Sequence, residues 1–271
     1  MRHTMITAII CLLLCTVATA GDDQWQKNYS VTGKPQVSVR TNDGVVQVST
    51  WPRKEVGFIV SRKGGTLGKN VRIEQSAEGN RISVTVHISR FLASVNLARS
   101  ISIQAMVPAE ADLDLDAGDG QIRINNVAGN LRLQTSDGSI DASELGGQLH
   151  ARTTNGNIQV RGRFDVLVLK TNDGQIKAEV AAGSRLASAW SVNTSDGGVR
   201  LRLPNELSAE LDARTSNGHI ISEIPVATSG VVSEHHLHGT INGGGLPFEI
   251  HTGNGSIQIS RIEAKTAGSG N

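Results

Sequence analysis

The stretch Thr135-Ser136-Asp137-Gly138-Ser139-Ile140 recurs along this chain, and its recurrence limits the available folds more than any other feature. It returns as Thr171-Asn172-Asp173-Gly174-Gln175-Ile176, Thr154-Asn155-Gly156-Asn157-Ile158 and Thr194-Ser195-Asp196-Gly197-Gly198-Val199. Two further copies are Thr215-Ser216-Asn217-Gly218-His219-Ile220 and Thr252-Gly253-Asn254-Gly255-Ser256-Ile257. Early outliers are Thr41-Asn42-Asp43-Gly44 and Ala117-Gly118-Asp119-Gly120-Gln121-Ile122. Gly120, Gly138, Gly156 and Gly174 fall 18 residues apart, and the later intervals are 23, 21 and 37. A fixed period of this size marks a repeat architecture.

Within each unit the apolar residues alternate. Leu131 and Leu133 share a face with Thr135, and Ile140 and Ala142 resume that face after the Gly138 turn. The next units place Leu149, Ala151, Ile158 and Val160, then Leu167, Leu169, Ile176 and Ala178, in the same positions. Period two is the strand signal, and Asn or Asp before Gly suits a turn that needs positive φ. No amphipathic helix interrupts this region, so the fold class is all-β. Two topologies satisfy the spacing. In a meander of hairpins, each Asp-Gly would join antiparallel neighbours. In a β-solenoid, a β-helix of the single-stranded type, the turn is a corner and equivalent residues stack coil over coil. The constant step favours the solenoid, because a long open meander would leave one apolar face bare. Coils at the inter-strand spacing of about 4.8 Å would build an elongated rod.

The chain divides by pattern. Residues 1–20 read as a cleaved signal peptide: Arg2 and His3 precede an apolar run, and Ala18-Thr19-Ala20 offers small residues for cleavage. Leu14 before Cys15 argues against a lipid anchor there. Residues 25–108 alternate without a clean period and read as an N-terminal β cap, ended by Pro108. Residues 109–262 form the repeat domain. Residues 226–239 are an insertion, and the small, polar residues 263–271 read as a disordered tail.

Both cysteines, Cys11 and Cys15, lie in the removed segment, so the exported chain has no disulfide. Loss of Arg2 leaves 25 basic residues against 25 acidic ones. That balance argues against a nucleic-acid partner, whose electrostatic footprint should be basic. No later run resembles a membrane span. Aromatic residues make up 3% of the chain, which fits a thin core of aliphatic residues and threonine.

The order of elements also resembles a known family. Val107-Pro108 is followed by Leu113-Asp114-Leu115, then by the repeats, then by Leu203-Pro204 before Ala209-Glu210-Leu211-Asp212-Ala213. The ending Gly239-Thr240-Ile241-Asn242-Gly243-Gly244, with Thr252 to Ile257, completes the set. These residues resemble a bacterial exported family carrying a domain of unknown function, known as putative adhesins or β-strand-repeat proteins. The resemblance covers most of the mature chain. It implies a right-handed solenoid-like array with no recognised enzymatic activity, and it brings no catalytic or binding residues.

Several side-chain groups invite a chemical reading. Asp43, Asp119, Asp137, Asp173 and Asp196 could form a calcium ladder, but Asn replaces Asp at Asn155, Asn217 and Asn254, an interchange that turn geometry explains. His235, His236 and His238, with Glu234 and His251, are candidate metal ligands at a spacing that an exposed polar loop also explains. Arg132, Arg152, Arg161, Lys170 and Lys177 point away from the apolar face and could stack into a stripe for acidic polysaccharide. Asp114, Asp116, Asp141 and Glu179 interleave with them, as on a solvated mixed face. No pair of carboxylates stands out as a glycosidase set, and no Gly-x-Ser-x-Gly elbow marks a nucleophile. No cofactor is implied. The sequence thus reads as a non-enzymatic, exported scaffold, periplasmic or extracellular at the cell surface or in the medium, binding an envelope polysaccharide or envelope protein. The alternatives are a polysaccharide lyase or hydrolase on a β-helix, and a periplasmic part of an envelope-stress sensor.

Overall fold

The structure, a computed structural model, describes residues 24–63, 67–89, 101–228 and 233–262. The expected signal segment with Cys11 and Cys15, Phe91, the Gly64-Gly65 turn, part of the 226–239 insertion and the expected tail lie outside the described residues.

The alternating segments all become strands. In chain order these begin with β1 (Trp25–Ser30), β2 (Gln36–Thr41), β3 (Val45–Thr50), β4 (Glu55–Arg62), β5 (Val71–Glu78), β6 (Arg81–Ile88) and β7 (Ile101–Val107). The regular repeats supply β8 (Asp112–Asp116), β9 (Ile122–Asn125), β10 (Ala128–Gln134), β11 (Ile140–Arg152), β12 (Ile158–Lys170) and β13 (Ile176–Val180). The longer units supply β14 (Trp190–Asp196), β15 (Val199–Leu203), β16 (Ala209–Asn217) and β17 (Ile220–Ser222). The last strands are β18 (Ala227–Thr228), β19 (His236–Ile241), β20 (Pro247–Asn254) and β21 (Ile257–Arg261). A single 3-10 turn, Gly68–Asn70, is the one helical element among the described residues. None is long and apolar enough to cross a membrane.

The strands flanking a Thr-to-Gly corner do not pair with each other. Each pairs in parallel with its equivalent in the neighbouring unit, so Leu113, Leu131, Leu149 and Leu167 stand in one row. After the corner, Ile122, Ile140, Ile158 and Ile176 form a second row. The pairing defines two sheets. Sheet A runs β5, β6, β2, β8, β10, the second halves of β11 and β12, then β14, β20, β16, β19 and β18. Sheet B runs β1, β4, β7, β3, β9, the first halves of β11 and β12, then β13, β15, β21 and β17. The inward residues of both sheets are buried and form one aliphatic core between them.

Two features of this order are not sequential. The stack continues past Pro108 into the N-terminal region, where β2 lies between β6 and β8, and β3 between β7 and β9. At the far end, the last strands of the chain are not last in space. Strand β20 lies between β14 and β16, and β21 lies between β15 and β17. Antiparallel strands close the rows: β4 and β1 beyond β7, β5 beyond β6, and β19 with β18 beyond β16.

The corners account for the repeat. The threonines at 135, 153, 171, 194, 215 and 252 are buried. Each sends its hydroxyl to a corner glycine carbonyl of the adjacent unit: Thr153 to Gly138 at 3.0 Å, Thr171 to Gly156 at 3.0 Å, Thr252 to Gly197 at 2.8 Å and Thr215 to Gly255 at 2.8 Å. In the Gly156 unit the ladder threonine is therefore Thr153, not the Thr154 of the sequence motif. The glycines answer to contact more than to torsion. Gly120, Gly138 and Gly156 have no positive φ, yet a Cβ there would lie 1.8, 1.9 and 2.1 Å from the carbonyl oxygen of the glycine beneath. The expectation of positive φ holds at Gly44, Gly197 and Gly255 but not at Gly120, Gly138 and Gly156, where close approach between backbones alone excludes a side chain.

One consequence is measurable. Thr153→Val keeps the shape but removes the donor that serves Gly138 and Ser136. A buried carbonyl losing its partner costs about 1–3 kcal/mol. Thermal unfolding should fall by several degrees, at roughly 2–4 °C per kcal/mol for a domain of this size. An unchanged midpoint would remove the ladder from the account of stability.

Candidate functional site

The corner carboxylates form a structural ladder. Asn155 Nδ2 donates to Asp137 Oδ1 at 2.7 Å, Asn217 Nδ2 to Asn254 Oδ1 at 2.8 Å, and Asn254 Nδ2 to Asp196. At these steps an amide donates to the carboxylate or amide oxygen of its neighbour, which two stacked carboxylates cannot do, although Asp173 and Asp196 also stand next to each other.

The histidines of β19 sit at the far end of sheet A. Their positions alternate, so His236 and His238 face outward while His235 turns toward the corner. His236 Nε2 lies 3.1 Å from Asp212 Oδ1, and Asp212 also takes a bidentate Arg214 at 2.9 and 2.7 Å. His238 faces Glu210 at 3.8 Å. His235 hydrogen-bonds the Gly218 carbonyl at 2.8 Å and stacks on His219, which pairs with Glu234 at 3.5 Å. His251 lies two strands inside His236, opposite Arg214. Among the described residues no group of three or more such side chains is placed to hold a metal ion.

The five basic residues singled out in the sequence do not form one stripe. Arg132, Arg152 and Lys170 lie on sheet A. Arg132 approaches Asp114 at 3.8 Å, and Arg152 pairs in register with Lys170. Arg161 and Lys177 lie on sheet B. There they join a groove of about 840 Å³ that runs over the outward face of strands β7, β3, β9, β11, β12, β13 and β15.

The groove is built on two register rows. The first runs Gln104, Gln47, Arg123, Asp141, Gln159, Lys177 and Arg200. The second includes Asn125, Ser143, Arg161, Glu179 and Arg202. Five cations and two carboxylates line it, a concentration of positive charge on a chain whose formal net charge is +1. Arg161 pairs with Glu144 at 3.6 Å and Arg202 with Glu179 at 3.7 Å. Asp141 accepts a hydrogen bond from Gln121 Nε2 at 2.7 Å, and Arg200 donates to Gln258 at 3.2 Å. Arg123, Lys177 and Arg200 are exposed and have no carboxylate paired with them among the described residues.

Sequence reading missed Arg123, Arg200 and Arg202. The signal was present, since Arg123, Asp141, Gln159 and Lys177 are spaced by 18 and Arg200 follows at the same 23-residue step as Gly174 to Gly197. Selecting residues by charge instead of by position in the period mixed the two sheets.

The family profile for the Toastrack DUF4097 domain matches residues 16–260. Among solved structures, the chain is similar to a putative adhesin from Bacteroides fragilis NCTC 9343, with 12% identity, coverage of 89% of this chain and 98% of that one, and a TM-score of 0.49. It is also similar to a putative cell adhesion protein from Clostridium sporogenes ATCC 15579, with 14% identity, coverage of 89% and 100%, and a TM-score of 0.39. A putative adhesin from Parabacteroides merdae ATCC 43184 shares 10% identity over 89% of this chain and 97% of that one, with a TM-score of 0.40. No curated protein matches the chain. The matched segment spans both sheets, every Thr-to-Gly corner and the groove, and the chain belongs to the Toastrack DUF4097 family.

Proposed function

We propose that this protein is an exported, non-enzymatic β-solenoid that holds a cell-envelope polymer or envelope protein in the groove of sheet B. The observation that carries this reading is the groove itself. It crosses seven strands, so its lining belongs to the rigid stack and not to loops. Strands already fixed in the stack add no backbone ordering cost at the moment of binding. The parallel rows support the solenoid: identical side chains recur at the strand spacing, which suits a ligand that itself repeats. The signal-like residues 1–20 support export, to the periplasm, the cell surface or the medium.

The test is sedimentation of the full chain with a cell-envelope fraction, beside a variant whose groove is filled. Ser143 and Ser49 line the groove on its outward side, so Ser143→Trp with Ser49→Trp obstructs it whatever the charge of the ligand. Retention of the native chain should exceed that of the variant at least tenfold. Equal retention of the two would overturn the groove as the binding surface. Retention of neither would overturn the binding function. Release of new reducing ends or unsaturated sugars from envelope polysaccharide would overturn the non-enzymatic reading in favour of a lyase or hydrolase.

A further inference from the structure

We propose that the ligand of the sheet B groove is a carboxylated polysaccharide, held by Arg123, Lys177 and Arg200 through its acid groups and by the neighbouring amides and carboxylates through its hydroxyls; this rests on the groove being the binding surface. The three cations stand in one register row, with Asp141 and Gln159 between Arg123 and Lys177. At about 4.8 Å per strand, Lys177 and Arg200 are one step apart and Arg123 is three steps before Lys177. An extended polymer lying along the row therefore meets positive charge at both ends of a polar, uncharged or acidic middle.

That middle selects the chemistry. Asp141 and Gln159 lie in it, and Gln47, Gln104, Asn125 and Glu179 line the groove beside it, each offering a carboxylate or amide oxygen as acceptor. A polyphosphate has no hydroxyl to give them, and its charge would be repelled by both carboxylates. A sugar chain donates hydroxyls to each of these acceptors while its carboxylates reach the cations. Guanidinium groups match carboxylates with two parallel hydrogen bonds, which favours Arg123 and Arg200 as the anchors. The groove lining contains no aromatic ring on which nucleic-acid bases could stack. Sheet A carries a comparable row, Arg40, Asp116, Gln134, Arg152 and Lys170, but it lies outside the sheet B groove, and there Arg40 and Arg132 already approach Asp114 at 3.6 and 3.8 Å.

The experiment measures binding of the full chain to alginate oligomers, with neutral dextran and polyphosphate as comparison probes. Alginate should bind, dextran should not, and polyphosphate should bind at least tenfold more weakly than alginate. The combined variant Arg123→Gln, Lys177→Gln and Arg200→Gln should lose at least tenfold in alginate affinity. The variant Arg132→Gln, Arg152→Gln and Lys170→Gln removes the same charge from sheet A and should bind as the native chain does. A measurement on the native protein needs no variant: alginate should protect Lys177 from acylation, read by mass spectrometry, and leave Lys170 as reactive as before. Polyphosphate binding as tight as alginate, equal loss in both variants, or unprotected Lys177 would each overturn the proposal. If the chain is retained on envelope in a groove-dependent way and yet ignores alginate, the carboxylated-glycan assignment falls while the binding reading stands.

Discussion

A chain truncated after Gly245 is expected to lose cooperative unfolding altogether, although the deletion removes only the last two strands in the sequence. In a stack ordered as the chain is ordered, such a deletion would trim one end. Here β20 and β21 fill the slot between β14–β15 and β16–β17. Removing them leaves β16 and β17 with no parallel partner and exposes the inner edge of the neighbouring unit. Phe248, Ile250, Ile257 and Ile259 are all buried. At about 1.5–3 kcal/mol for each such side chain, their loss amounts to roughly 6–12 kcal/mol. That is comparable to the whole stability of an ordinary domain, about 5–15 kcal/mol. Trp190 also loses its edge-to-face contact with Phe248, whose ring centroid lies 5.5 Å away. Circular dichroism against temperature, with limited proteolysis, would show a broad or absent transition and cleavage within β14 to β19. A sharp transition within a few degrees of the native midpoint would mean that the terminal strands are not internal to the stack.

The second large effect separates two adjacent glycines. Gly197→Ala should destabilise the protein by about 3 kcal/mol, while Gly198→Ala should change stability by no more than about 1 kcal/mol. A Cβ on Gly197 would lie 2.1 Å from the Gly174 oxygen and 2.6 Å from its carbonyl carbon. Both atoms belong to backbone that is itself held in the stack, so relief requires the units to part. A Cβ on Gly198 meets its nearest atom, the Ser256 oxygen, at 3.4 Å, an ordinary contact. Restricting the unfolded chain there can even stabilise slightly. Thermal midpoints should therefore differ by roughly 4–12 °C between the two variants. Equal midpoints would show that neither the close approach at Gly197 nor its φ of 148° requires a glycine there.

These two predictions differ in how far the sequence supports them. Gly197 can be aligned with Gly174 and Gly138 by eye, and the alternation of Leu131, Leu133, Ile140 and Ala142 tells inside from outside. The same period even contains the groove row, since Arg123, Asp141, Gln159 and Lys177 recur at its step. What the period does not contain is which sheet a cation belongs to unless its distance from the corner is counted. Arg152 and Lys170 precede their corners and lie on sheet A, whereas Arg161 and Lys177 follow theirs and lie on sheet B. The histidines at 235, 236 and 238 show the same limit at shorter range, because antiparallel pairing of β19 with β16 assigns each one its own partner.

The sequence by itself determined the all-β class, the inward and outward residue at nearly every strand position, and the corners. These follow from local chemistry: period two, the need for a buried hydroxyl, and a glycine too close to its neighbour to carry a side chain. Only the tertiary structure decided the order of the units. A Thr-to-Gly corner offers the same donors and acceptors wherever it lies, so the Thr252 unit can in principle sit on any other. Its place is settled by contacts between distant residues. Phe248 meets Trp190 on one side and Leu211 on the other, and β19 already occupies the far edge of β16. Interchangeable corners leave neighbour choice to side-chain fit across the stack, and that fit exists only once the chain has folded back on itself.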